Sequence, residues 1–304
     1  MNLAEKINRL KKEKNAVILT HCYQNIELDE VSDFTGDSLY LSRAAAKTDA
    51  DIIIFAGVYF MAQSAKLLSP GKRVFLPNMN SGCFMADMID VKNLREFKQK
   101  YPNLPVVCYI NSTAEVKAEC DICCTSSNAV QIVKSLNAPK VLFVPDTYLG
   151  KWVQKKLQNV EVITFNGYCP AHLRIRLQDI ENARKNYPEA LILAHPECSS
   201  EVTEAADFTG STKEIMEYAL KSSGKQFVIA TEKGVLERLE QHCRKNGIDK
   251  KFILINDKVI CSNMKLNTLA DVYNVLKNET NEIFLDSETA EKARLCIDKM
   301  LKAV

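Results

Sequence analysis

The same order of parts occurs three times along this 304-residue chain, at a period of roughly 85–90 residues. That period is too long for a solenoid repeat, so each copy has the size of a small domain. Each opens with an apolar run ending in polar residues: AVILTHCYQ at 16–24, VVCYINST at 106–113 and LILAHPEC at 191–198. Unbroken apolar runs of this length suit parallel strands buried on both faces. A turn rich in Gly, Ser and Thr then opens a helix: FTGDSLYLSRAAA at 34–46, CTSSNAV at 124–130 and FTGSTKEI at 208–215. A second strand and helix follow, at 51–68, 141–157 and 227–239. Strands alternating with helices imply an α/β fold: three repeated three-layer αβα domains with parallel sheets, arranged with pseudo-threefold symmetry about a common centre. The expected limits are 14–98, 99–185 and 186–280, with an N-terminal helix over 1–13 and a C-terminal helix within 281–304.

Each copy closes with a short strand that runs into a cysteine, in VFLPNMNSGC, VITFNGYC and FILINDKVIC. These end at Cys83, Cys169 and Cys261, spaced by 86 and 92 residues. The chain has 11 cysteines. In a cytosolic chain disulfides are disfavoured, so most of them fill the core and a few hold a metal or cluster. The repeat selects those few, because three equivalent cysteines from three units meet near the symmetry axis. Three thiolates can hold a soft metal group while leaving one coordination position free. The rival set is Cys120, Cys123 and Cys124, which has C-x-x-C spacing but no second pair and no counterparts in the other copies. Cys22, Cys108, Cys198, Cys243 and Cys296 read as core fillers.

The same registration aligns His21, Tyr109 and His195 at the ends of the first strands, and Tyr23, Asn111 and Glu197 two residues later. Residues two apart in an extended chain point to one side. Ligands of open parallel sheets bind beyond the carboxyl ends of the strands, so these six side chains should ring one pocket. Ser38, Ser126, Ser211 and Thr212 fall at helix starts, where free backbone N–H groups favour phosphate or carboxylate. A polyanionic partner is another matter. With 40 Lys and Arg against 38 Asp and Glu, the net charge of +2 offers no surface for nucleic acid. The longest apolar run, residues 52–62, is far below the roughly 18 residues that span a bilayer. The first residues, MNLAEKINRLKKEKN, space Leu3, Ile7 and Leu10 helically and lack the apolar centre of a signal peptide, so a cytoplasmic location is expected.

These residues resemble the quinolinate synthase family over roughly residues 14–280. The likeness rests on H-x-Y-Q at 21–24, GDSLYLSRAA at 36–45, AGVYFMAQSAKLLSP at 56–70, GCFMADM at 82–88, YINSTAEVKA at 109–118, TSSNAV at 125–130, CPAH at 169–172, AHPEC at 194–198, GST at 210–212 and C-x-N-M-K at 261–265. It implies a [4Fe–4S] cluster on Cys83, Cys169 and Cys261. The implied reaction condenses iminoaspartate with dihydroxyacetone phosphate to quinolinate in NAD biosynthesis, with L-aspartate oxidase as the supplier of iminoaspartate. By position, Tyr23, Glu197, His21 and His195 would move protons and orient substrate, with Glu197 as general base. Tyr109 and Asn111 would bind carboxylate or keto groups, Ser38, Ser126, Ser211 and Thr212 phosphate or carboxylate, and His172 the cluster edge or a product carboxylate. Cys22 stands where many members carry Asn, and SNMKLN after Cys261 replaces the C-x-x-C-x-x-C of some members. Two other readings of the same residues are an iron–sulfur hydro-lyase and a non-catalytic sensor that signals by losing its cluster.

Overall fold

A computed structural model describes residues 2–303, so Met1 and Val304, at the outer ends of the expected terminal segments, lie outside the described residues. Three four-stranded parallel sheets are present. The first comprises β1 (Ala16–His21), β2 (Phe34–Gly36), β3 (Ile52–Ala56) and β4 (Arg73–Phe75). The second comprises β5 (Val106–Tyr109), β6 (Ile122–Cys124), β7 (Lys140–Val144) and β8 (Glu161–Thr164). The third comprises β9 (Leu191–Ala194), β10 (Phe208–Thr209), β11 (Gln226–Ala230) and β12 (Lys251–Leu254). All three have the same spatial order, second–first–third–fourth, with every pairing parallel. Strands such as Ile-Ile-Ile-Phe-Ala in β3 are buried at every position because helices cover both faces.

Each copy has one more strand than the sequence reading counted. The FTG at 34–36 and FT at 208–209, read as the start of turns, and ICC at 122–124, of which only Cys124 fell in the expected turn, are edge strands of two or three residues, too short to show a strand's period. An aspartate at the head of each holds it in register. Asp33, Asp121 and Asp207 each accept, through Oδ2, the backbone N–H of the residue 15 positions earlier (Ile18, Val106, Ile192) at 2.8, 2.8 and 2.7 Å. The aspartate's own N–H returns to that residue's carbonyl at 2.9, 3.1 and 2.9 Å.

The helix that follows each cysteine is handed on to the next sheet. The helix Val91–Lys100, after Cys83, places Leu94 in the core of the second copy and Phe97 against Phe165, with ring centroids 5.6 Å apart. The helix Leu177–Asn186, after Cys169, packs Ile180 and Ala183 on Ile192 of the third. The helix Leu269–Asn278, after Cys261, packs Val272, Val275 and Leu276 on Ile18, Ile52 and Ile54 of the first, beside the N-terminal helix Leu3–Glu13. The ring therefore closes on itself. The C-terminal helix Ser287–Lys302 buries Ala293, Cys296, Ile297 and Met300 against the second copy. One hydrophobic core joins one face of the first sheet to the second copy, the other face of the first sheet has a cluster of its own with Ile18, Ile52 and Ile54, and the strands of the third copy pack in two further clusters. Among the described residues no helix is long and apolar enough to cross a membrane.

Candidate active site

The carboxyl ends of the three sheets converge on one central cavity of about 110 Å³, lined by residues of all three copies. That is the scale of a cavity that admits a small organic molecule. The first and third strands of each sheet flank the point where strand order reverses, which is where such sheets bind ligands.

All six residues of the expected ring line this cavity. His21 ends β1 and Tyr109 ends β5, while His195 directly follows β9. The two histidines are held alike. The N–H of Tyr23 donates to Nδ1 of His21 at 3.1 Å, and that of Glu197 to Nδ1 of His195 at 3.2 Å. Each ring therefore carries its proton on Nε2. Burial, above all, lowers both to a pKa of about 3, so they are neutral donors near pH 7.

Glu197 is buried and doubly held: Tyr109 Oη donates to Oε1 at 2.6 Å, and His172 Nδ1 lies 2.8 Å from Oε2. Burial alone would raise its pKa, but His172, His195 and the hydrogen bonds outweigh burial and leave it at about 2. The carboxylate is thus ionised. Burial, then repulsion from Glu197, raises Tyr23 and Tyr109 well above an ordinary phenol, so both keep their protons. A hydrogen-bond chain leads from the acid to Tyr23. His172 Nε2 meets Thr231 Oγ1 at 2.8 Å, Thr231 meets Tyr23 Oη at 3.1 Å, and Tyr23 meets Thr212 Oγ1 at 2.9 Å. With His172 protonated on Nδ1, every hydroxyl in the chain can donate to its neighbour toward Glu197.

Ser38, Ser126 and Thr212 line the cavity as well. Ser38 and Thr212 are the first residues of ten-residue helices, Ser38–Lys47 and Thr212–Lys221. Ser211 is not brought to the cavity: its hydroxyl caps the second of these helices through Glu214 N–H at 3.3 Å, within a capping box. His172 lies on the lining, stacked on His195 at 4.8 Å. The side-chain oxygen of Asn111 is buried with no partner in the protein, an acceptor left for a ligand donor.

Cys83, Cys169 and Cys261 also line the cavity, each half-buried. Their loops are built alike. The first N–H of the helix that follows the third strand of each copy donates to the carbonyl of the residue two before the cysteine: Tyr59 to Ser81 at 2.8 Å, Thr147 to Gly167 at 2.8 Å and Lys233 to Val259 at 3.1 Å. Burial pushes Cys83 up to about 12, Cys261 to about 11 and Cys169 well above the usual thiol, and Cys169 also feels both other thiols. Among the described residues, the one tight set of donors sized for a single ion is Cys169, His172 and Glu197, with ligand atoms within 4.8 Å of one another. Cys83 and Cys261 stand outside that set, so the three cysteines frame a space larger than one ion. The rival cysteines lie elsewhere. Cys123 and Cys124 are buried in β6, and Cys123 Sγ sits 3.3 Å from Cys296 Sγ on the C-terminal helix.

The sequence reading missed Glu232, Thr231 and Asp37. Glu232 and Asp37 line the cavity, and Thr231 joins the hydrogen-bond chain. The repeat held a signal for Glu232. It caps the helix Lys233–Asn246 just as Asp146 caps Thr147–Lys156, at the same place in consecutive copies.

A family model described as quinolinate synthetase A protein matches residues 5–302. A quinolinate synthase of Alkaliphilus metalliredigens is 51% identical over 99% of this chain and 98% of its own length. Quinolinate synthases of Caldicellulosiruptor saccharolyticus and Aquifex aeolicus are each 46% identical over 99% of the chain, covering 98% and 94% of their own lengths.

Proposed function

The chain belongs to the quinolinate synthetase A family, and from that premise we propose that it condenses iminoaspartate with dihydroxyacetone phosphate to quinolinate, releasing phosphate and two waters, as a step of NAD biosynthesis. The observation that carries the reading is the convergence of Cys83, Cys169 and Cys261 with Glu197, Tyr23, Tyr109 and the two histidines on one cavity. The three cysteines suit a [4Fe–4S] cluster, which when bound supplies an iron without a thiolate as a Lewis acid for a substrate oxygen or nitrogen.

The protein's own groups do the rest. Glu197, ionised and facing the cavity, takes a proton from substrate carbon or nitrogen, and the chain through His172 and Thr231 links it to Tyr23. Tyr109 gives its one proton to Glu197 and so holds the base in place, whereas Tyr23, which keeps its own, donates to a leaving or carbonyl oxygen when it turns from Thr231. His21 and His195 present Nε2–H to substrate carboxylates, which leaves them orientation rather than proton uptake. Asn111 accepts from a substrate N–H or O–H. Ser38 and Thr212 meet phosphate or carboxylate with hydroxyls at helix starts, and Ser126 adds a third hydroxyl. Imino acids hydrolyse in water, which favours a nearby L-aspartate oxidase in the same cytoplasm.

Anaerobically reconstituted protein supplied with both substrates should form quinolinate and phosphate in equal amounts. Turnover without phosphate would replace the reading with an iron–sulfur hydro-lyase, and bound iron without turnover would replace it with a sensor.

A further inference from the structure

Glu232 is a buried carboxylate with no part in the chemistry above. Its side chain is fully buried, yet it lines the cavity. Oε2 accepts the N–H of Gly234 at 2.6 Å, and Oε1 accepts the backbone N–H of Cys261 at 3.2 Å. Lys265 Nζ lies 3.3 Å from Oε1 and donates to the carbonyl of Tyr23 at 2.7 Å. The carboxylate thus holds the loop of the third cysteine at Cys261 and Lys265, and Lys265 carries the link on to the Tyr23 loop of the first copy.

The helix that Glu232 caps is pressed against that same loop. A Cβ on Gly234 would stand 2.5 Å from the carbonyl oxygen of Cys22 and 3.0 Å from Cα of Tyr23, so only glycine permits the approach. One turn on, Arg238 donates to the carbonyls of Cys22 and Gln24 at 2.8 and 3.0 Å. The arrangement is uneven across the copies. Asp146 occupies the equivalent cap in the second copy and Val58 in the first, so Cys83 has no acid at that place.

We infer that Glu232 is a positioning residue that fixes Cys261 and, through Lys265, Tyr23 relative to one another, with the Glu232–Lys265 pair beside the third cysteine. This rests on the reading of Cys261 as a ligand. A carboxylate that engages the cysteine N–H keeps that donor away from cluster sulfur, and its charge opposes reduction of the bound group. Loss of such supporting hydrogen bonds weakens metal binding by about 10- to 100-fold.

The test compares parent, Glu232→Gln and Glu232→Asp, each reconstituted without oxygen, by the rate of iron transfer to a ferrous chelator and by the midpoint potential of the bound iron. The inference expects iron release at least about tenfold faster in Glu232→Gln, with a more positive potential. Glu232→Asp, which keeps the charge on a shorter arm, should hold the parental potential with intermediate release. Parental release and potential in Glu232→Gln would overturn the inference while leaving the cluster reading intact. A parent that binds no iron would overturn the cluster reading itself, and this inference with it. Should Glu232→Gln not fold, Glu232→Asp decides: faster release supports the role, and parental release removes it.

Discussion

Glu197 shows how environment gives one residue type a particular task. In AHPEC it is an acid beside a proline, with a solvated loop carboxylate as its plainest reading; in the structure it is buried, ionised and held by Tyr109 and His172. Its partners come from other copies or other loops, and no local pattern announces them. The state of His21 and His195 was equally hidden, since their neutrality depends on burial and their tautomer on a backbone N–H two residues on. The meeting of Cys83, Cys169 and Cys261 at one cavity, by contrast, was legible, because the repeat compares positions rather than environments. Replacing Glu197 by Gln should leave iron content intact and lower turnover by roughly 10²–10⁴, as expected for a general base; near-parental activity would remove that role. Cys169→Ser should lose most of its iron while Cys123→Ser, altered within β6, keeps it. Iron analysis of the two purified variants distinguishes them, and the reverse pattern would return the metal to the rival cysteines.

Among the elements, the short edge strands carry more of the fold than their length suggests. They escaped the sequence reading because two or three residues hold no period, although DFTG occurs twice and its aspartate is the residue that anchors the edge. Asp207 accepts the Ile192 N–H and a two-pronged bond from Arg184 at 2.7 and 2.9 Å. Burial would raise its pKa, but Arg184 and the backbone hydrogen bond lower it on balance. A carboxyl whose folded pKa lies below its unfolded value stabilises fully above the unfolded value, near 3.8, and loses that stabilisation as pH falls through the folded one. Asp207→Ala should therefore cost about 1–3 kcal/mol at neutral pH, chiefly by orphaning the Ile192 N–H. Thermal melts of parent and variant should separate at pH 7 and draw closer as pH falls below 3.8 if the charge matters; an unchanged melting temperature at pH 7 would show the edge strand to be held by other means.

On the scale of the whole molecule, the discontinuity of the core makes the third copy a separable unit. In native-state hydrogen exchange, amides of β5 and of β3, whose Ile53 and Phe55 lie in the core of β5, should open in a common step, and those of β11 in a distinct one. Identical opening energies across all three sheets would contradict that division. The handing-on of each helix to the next sheet has another consequence. It is a head-to-tail contact, and such contacts generate rings only when their rotation closes, here after three steps. Three separate identical chains using this contact would also close a ring, but they would place three identical side chains around the axis and offer a lopsided molecule three equivalent poses. Joining the units in one chain frees each to differ at the centre. His21, Tyr109 and His195, and below them Tyr23, Asn111 and Glu197, are the differences, and they leave an asymmetric ligand a single pose among the three rotations.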